Sequence, residues 1–142
     1  MNASEISMRE AKVDDAADVL ALLEPNIAAK QLLPRTIEEI EQLSEHAFVA
    51  ERGDMVVGFA AVEVYSKKMS ELQCLAVAPE CQGQGVGKQL VNLCVERARQ
   101  LGIMELMAIT SSEELFLQCG FDYSLPDQKR AVFVHTSGFR HS

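Results

Sequence analysis

Leu72-Gln73-Cys74-Leu75-Ala76-Val77-Ala78-Pro79, followed at once by Gln82-Gly83-Gln84-Gly85-Val86-Gly87-Lys88, is the stretch that decides how this chain folds. An apolar β segment runs into a glycine-rich turn, and the turn opens an amphipathic helix. Strand, free backbone N–H groups and helix start together make an anion cradle, which points to a phosphate-bearing ligand. Closely spaced glycines also make ordinary turns, so the spacing has to be weighed. A dinucleotide fingerprint needs G-x-G-x-x-G, whereas Gly83, Gly85 and Gly87 follow G-x-G-x-G, and no leading strand opens a βαβ unit at the N-terminus. A Walker loop needs a glycine five residues before Gly87 and Ser or Thr after Lys88; those positions hold Gln82 and Gln89.

Working outward from this stretch, residues 6–9 read as a short strand, and Val13-Asp14-Asp15 offers an N-cap to a helix that ends near Pro25. Thr36 and Glu39 form a capping box before Ile37, Ile40 and Leu43 at helical spacing. Residues 48–51 and 55–65 flank the hairpin signal Arg52-Gly53-Asp54, and 69–78 form the next β segment. A long helix over about 85–101, a strand over 103–109, a helix over about 112–119 and a last strand around 131–135 complete the order βααβββαβαβ. The fold class is α/β with a mixed sheet, in one domain spanning residues 1–142.

Charge narrows the partners. The 21 acidic and 13 basic residues leave a net charge of -8, which argues against a nucleic-acid partner. The longest uncharged apolar run, residues 55–62, falls far short of the roughly 20 residues that span a bilayer, and the N-terminus lacks a basic segment followed by an apolar one. The expectation is a cytoplasmic protein without a membrane partner. Cysteines 74, 81, 94 and 119 show no C-x-x-C spacing, so they read as reduced, structural thiols and no metal site is expected.

Leu75-Ala76-Val77-Ala78-Pro79, then Gln82, Gly85 and Gly87, resembles the acyl-CoA loop of the GNAT acetyltransferases, Q/R-x-x-G-x-G/A after a strand ending in an L-x-V-x-P-like stretch. Gln118-Cys119-Gly120-Phe121 is similar to the family's G-F ending after the following helix. The resemblance covers the whole chain in element order. It implies a mixed, mostly antiparallel sheet splayed between its central strands and flanked by helices, with acetyl-CoA as co-substrate. It also implies that the N–H groups of Gln82, Gly83, Gln84, Gly85, Val86, Gly87 and Lys88 hold the pyrophosphate. Leu75 and Val77 would pair with the pantetheine arm, and the Val77 N–H would polarise the thioester carbonyl as an oxyanion donor. The Lys88 ammonium would neutralise phosphate charge, or be a solvated surface cation.

Acetyl transfer needs a neutral amine, and at pH 7 a lysine-type amine is neutral in only about one part in two thousand. Strand alternation puts residues 71, 73, 75 and 77 on one face, so Glu71 and Val77 are expected to share a cleft. Glu71 resembles the strand glutamate that serves as base in histone acetyltransferases of the superfamily; the plain alternative is a solvated strand-end carboxylate. The tyrosine that often protonates the leaving thiolate is replaced by Phe116, which is expected against the pantetheine but has no proton to give. A thiol with a pKa of about 8.5 leaves without strong assistance.

Leu33-Pro34-Arg35-Thr36-Ile37-Glu38, Lys68-Met69-Ser70-Glu71-Leu72 and Ala108-Ile109-Thr110 are similar to segments in the acetyltransferase domain of N-acetylglutamate synthases. The resemblance implies a small-molecule amine acceptor, an amino acid with glutamate as one candidate, held by Arg35 and Lys68. Arg is suited to bidentate carboxylate capture. Ser137, in His135-Thr136-Ser137, stands where the family has an R-x-S substrate segment. The amino-acid kinase domain of the long bacterial synthases has no counterpart in these residues, so arginine feedback through it is not expected. Dimers are frequent in the superfamily, and by that analogy a homodimer stays open. Two rivals remain: a non-catalytic acetyl-CoA-binding regulatory module, and acetylation of a protein or polyamine, to which the acidic charge leans.

Overall fold

The computed structural model describes residues 5–110, 112–123, 134 and 136. Ser137 and, apart from Val134, the last expected strand lie outside the described residues. Five strands, β1 (Ile6–Glu10), β2 (Ala47–Arg52), β3 (Met55–Val64), β4 (Met69–Val77) and β5 (Glu105–Met107), form one sheet in chain order. Successive strands are antiparallel up to β4, and β5 runs parallel to β4. Helices α1 (Ala16–Ala28) and α2 (Ile37–Leu43) cover one face of the sheet. On the other lie α3 (Val86–Gln100) and the short α4 (Glu113–Gln118).

Local chemistry accounts for most of these elements. Thr36 and Glu39 form the expected box at the start of α2: the Glu39 N–H donates to Thr36 Oγ1 at 3.1 Å and the Thr36 N–H to Glu39 Oε1 at 2.8 Å. The Asp15 carboxylate accepts from the Lys12 N–H and from both terminal nitrogens of Arg9, so it ties β1 to the start of α1. Gly53 turns the β2–β3 hairpin at φ +62°. Two boundaries differ most: β5 takes up only Glu105–Met107 of the expected 103–109, and α1 passes through Pro25 and ends at Ala28. Proline deprives only the Ala21 carbonyl of its helical donor, and Ala21 is exposed to water. Beyond it, the Ala29 N–H closes the last turn on the Pro25 carbonyl at 3.0 Å.

The apolar core has two halves divided by the sheet. Val19, Leu23 and Ile40 from the helices pack with Val49, Phe59 and Ala61 on one side. Leu90, Val91 and Cys94 of α3 pack with Phe48, Ala60 and Leu72 on the other. All four cysteines are free and three are buried; burial pushes the Cys94 thiol up to about 12. Among the described residues no helix is long and apolar enough to cross a membrane.

The strand that matters most is not regular. Its register against β3 shifts between Phe59↔Ala76 and Ala61↔Gln73, and Cys74 in that interval has φ +61°. This is a β-bulge, which inserts one residue and reverses the side-chain alternation beyond it. Leu72 accordingly packs with α3, whereas Cys74 and Ala76 pack with α1 and α2. Leu75 and Val77 return to the α3 side. The expectation that residues 71, 73, 75 and 77 share one face is therefore corrected: Glu71 and Gln73 face the α1–α2 side, Leu75 and Val77 the opposite one.

Candidate active site

The pairing of β4 with β5 ends at Glu71↔Met107. From there to Val77 the far edge of β4 has no strand partner among the described residues. The Ala78 N–H donates to the Val57 carbonyl at 2.8 Å, toward β3. Backbone alternation therefore turns the N–H of Val77 the other way, into the gap where β5 diverges. The Val77 carbonyl on that same edge accepts from Gln82 Nε2 at 3.0 Å. The Gln82 side chain thus pins the end of β4 to the glycine turn.

The turn itself presents donors. Gly83 and Gly85 both have φ +81°, the left-handed region, and a Cβ at either would meet nothing within 4 Å. Gly85 is the N-cap of α3 and the Gln89 N–H is the first to close on its carbonyl, so Val86, Gly87 and Lys88 keep the orphan donors of a helix start. None of the N–H groups of residues 83–88 has an acceptor among the described residues, whereas that of Gln82 is taken by the Pro79 carbonyl at 3.3 Å. Six consecutive donors at a helix N-terminus favour an anion, by about 0.3 to 1 kcal/mol per charge from the dipole alone.

Apart from Gln84, whose side chain turns back to the Glu80 carbonyl at 3.4 Å, the turn opens on a cleft of about 730 Å³ that also touches the β4 edge, the end of α1 and α4. Leu75, Val77, Gln82, Gly83, Gly85, Val86, Gly87 and Lys88 all line it, together with Asn26, Gln31, Leu115 and Gln118. Among the described residues Lys88 is its one charged lining residue and no carboxylate enters it, although the chain carries a net charge of -8. Phe116 is elsewhere: it is buried edge-on against Phe121 at 5.1 Å and lines a hollow beside β5. The α4 residues that reach the cleft are Leu115 and Gln118. The Tyr123 phenol, beyond α4, donates to Glu113.

On the α1–α2 side of the same strand lies a polar network. Arg35 donates through Nη2 to Gln73 Oε1 at 2.8 Å; its Nε is buried without a partner, and its guanidinium makes no ion pair among the described residues. Gln73 Nε2 donates to Glu63 Oε1 at 3.1 Å, and the Tyr65 phenol donates to Glu71 Oε1 at 2.6 Å. Desolvation, then the hydrogen bond to Glu71, pushes the Tyr65 hydroxyl up to about 12, so it stays a donor at neutral pH. Lys68 is not part of this network; its carbonyl accepts the Glu105 N–H at the start of the β4–β5 pairing, and it is Lys67 that shares a groove with Arg35 and Glu63. Glu63, Tyr65 and Gln73 escaped the sequence reading. Their signal was there: Glu63 and Glu71 are cross-strand partners, and polar residues at 63, 65, 71 and 73 interrupt two otherwise apolar strands on one face.

Residues 15–121 match the family model described as Acetyltransferase (GNAT) family. The amino-acid acetyltransferase of Ralstonia nicotianae is 34% identical over 132 residues, covering 89% of this chain and 29% of the relative. The Vibrio vulnificus enzyme of the same name is 29% identical over 92% of this chain and 31% of its own length. The chain thus spans about a third of the curated relatives it matches. Among solved structures, N-acetylglutamate synthase from Neisseria gonorrhoeae complexed with coenzyme A and N-acetyl-glutamate superposes with TM-score 0.74 at 29% identity, over 80% of this chain and 27% of that one. Rv2747 from Mycobacterium tuberculosis, in complex with CoA and NLQ, gives TM-score 0.74 at 27% identity, over 80% and 70%. With three-quarters of its length inside the family model, and a glycine cradle set against a strand that parts from its neighbour, the chain belongs to the acetyltransferase (GNAT) family.

Proposed function

We propose that this chain is an acetyl-CoA-dependent N-acetyltransferase acting on the amine of a small molecule, an amino acid, with glutamate one candidate. The observation that carries the reading is the cleft bordered by the free N–H donors of the glycine turn and by Lys88, without a carboxylate among the described residues, beside a β4 edge that has no strand partner among them. Bound there, acetyl-CoA supplies an activated acyl group whose carbonyl carbon accepts the amine. The N–H groups of residues 83–88 and the Lys88 ammonium hold the pyrophosphate, and left-handed glycines let it approach the backbone. The β4 edge at Leu75 and Val77 pairs with the amides of the pantetheine arm as a strand would. The Val77 N–H, aimed into the gap, meets the charge that develops on the carbonyl oxygen.

The bulge sorts the two substrates. Leu75 and Val77 serve the cofactor from the α3 side, and Arg35, Gln73 and Glu71 receive the acceptor from the α1–α2 side, so the reactants meet in the gap between them. Arg35 captures the acceptor carboxylate. Glu71 takes the amine proton directly or through one water as the C–N bond forms, and the C–S bond then breaks to release a thiolate that needs no strong acid. Phe116, buried in the core, takes no part in that proton's path. Four free cysteines suit a reducing, cytoplasmic setting.

Thiol release from acetyl-CoA across a panel of amino acids, spermidine and a basic peptide tests the reading. Glu71→Gln should lower turnover by about 10² to 10⁴ at neutral pH, with acetyl-CoA affinity unchanged and a smaller loss at high pH. Unchanged turnover removes Glu71 as base. Tight CoA binding without turnover of any amine would instead favour a binding module, and preference for the peptide a protein acetyltransferase.

A further inference from the structure

We propose that Tyr65 is a positioning residue for Glu71, and that Gln73 couples this pair to Arg35, so that one hydrogen-bonded chain links the acceptor's carboxylate site to the base. The inference rests on the reading of Glu71 as the base. Its geometry is independent of that reading. The Tyr65 hydroxyl donates to Glu71 Oε1 at 2.6 Å, and the same oxygen accepts from Gln73 Nε2 at 3.4 Å. Gln73 has its other amide atom on Arg35 at 2.8 Å and a second bond to Glu63 at 3.1 Å. Each member is orientated by the next: an amide oxygen accepts from the guanidinium, which leaves its NH₂ to donate, and the phenol oxygen that accepts has its one hydrogen for the carboxylate.

Position explains why these residues meet. Tyr65 follows β3 directly and its N–H bonds the Met69 carbonyl at 3.1 Å across the turn, which fixes its Cα opposite the start of β4. The bulge keeps Glu71 and Gln73 on the face that Tyr65 and Glu63 occupy. A glutamate on an exposed strand samples several rotamers; a short charge-assisted bond from a ring with two torsions selects one. The ring is 52% exposed, so its role is not to fill the core. The charged and titratable groups around the pair are Glu63 on β3, Glu39 on α2, Arg35 before it, Lys67 and Lys68 in the turn, and the Cys74 thiol. None of the others donates to Glu71 among the described residues.

Kinetics of Tyr65→Phe, Glu71→Gln and the double variant test this. Tyr65→Phe should lower kcat about tenfold with the KM for acetyl-CoA unchanged, and move the acid limb of the pH–rate profile upward by about half a unit or more, because a donor to the ionised carboxylate is lost. In the Glu71→Gln background the same change should have no further effect. Tyr65→Gln, which keeps a donor, should lie between Tyr65→Phe and the parent. An unmoved acid limb, or losses that multiply in the double variant, would overturn the proposal. Full activity of Glu71→Gln would instead remove the base itself, a separate result.

Discussion

At the residue scale, two glycines only two positions apart in the chain behave oppositely. Gly85 holds φ +81° with open space where a Cβ would go, so its substitution cost is entirely backbone. Gly87 is helical, and a Cβ there would meet Leu115 and Val77 at 3.7 and 3.8 Å, ordinary contact distances. Gly85→Ala should therefore destabilise by about 1 to 2 kcal/mol, whereas Gly87→Ala should stabilise by about 0.5 to 1 kcal/mol by restricting the unfolded chain. Urea unfolding of the two variants checks the opposite signs. The spacing of these glycines, with Gln82, was legible in the sequence because turn and helix-start chemistry are local. The partner of the Gln82 side chain, the Val77 carbonyl, was not, because it depends on where the strand ends relative to the turn.

At the element scale, β4 shows what pattern reading loses. Its limits were readable from the apolar run, and its approach to the glycine turn from Pro79. The reversal of its faces was not, because the residue that carries it is a cysteine at φ +61°, where a glycine or asparagine would have signalled a left-handed position. The capping box of α2, by contrast, was visible as Thr36 and Glu39, since both partners lie within one turn. Cys74→Val should cost about 1 to 3 kcal/mol, as a β-branched side chain tolerates that backbone poorly, and Cys74→Gly should cost less despite losing buried volume. Denaturant midpoints for the pair distinguish backbone strain at the bulge from packing loss, which predicts the reverse order.

For the whole molecule, ion pairs add to the sheet pairing that ties the first strand to the rest. Arg9 bridges Asp15 and Glu51, and Arg97 of α3 reaches Glu10 while its guanidinium lies 5.1 Å above the Phe48 ring. The hydrogen bonds from Arg9 hold the Asp15 carboxyl below the usual carboxylate range, against the opposing effect of burial. The unfolded chain then binds that proton at a higher pH than the folded one. The stabilisation is complete above the unfolded value of about 3.9 and is lost as pH falls through the folded one. Melting temperatures of the parent and Asp15→Asn should differ at neutral pH and converge in strong acid. The order of elements from β1 through α4 was legible in composition and periodicity; this long-range pairing of residues 9, 15 and 51 was not, since charge partners across a sheet leave no trace in spacing.

The unpaired edge of β4 has a further side. Residues 73–77, Gln-Cys-Leu-Ala-Val, carry neither charge nor proline, the devices with which natural sheets discourage foreign strands from adding to an edge. The backbone that can hold a ligand's amides in register is equally a template for another polypeptide. An occupant of that gap, of whatever kind, would then also keep one molecule's sheet from being continued by the next.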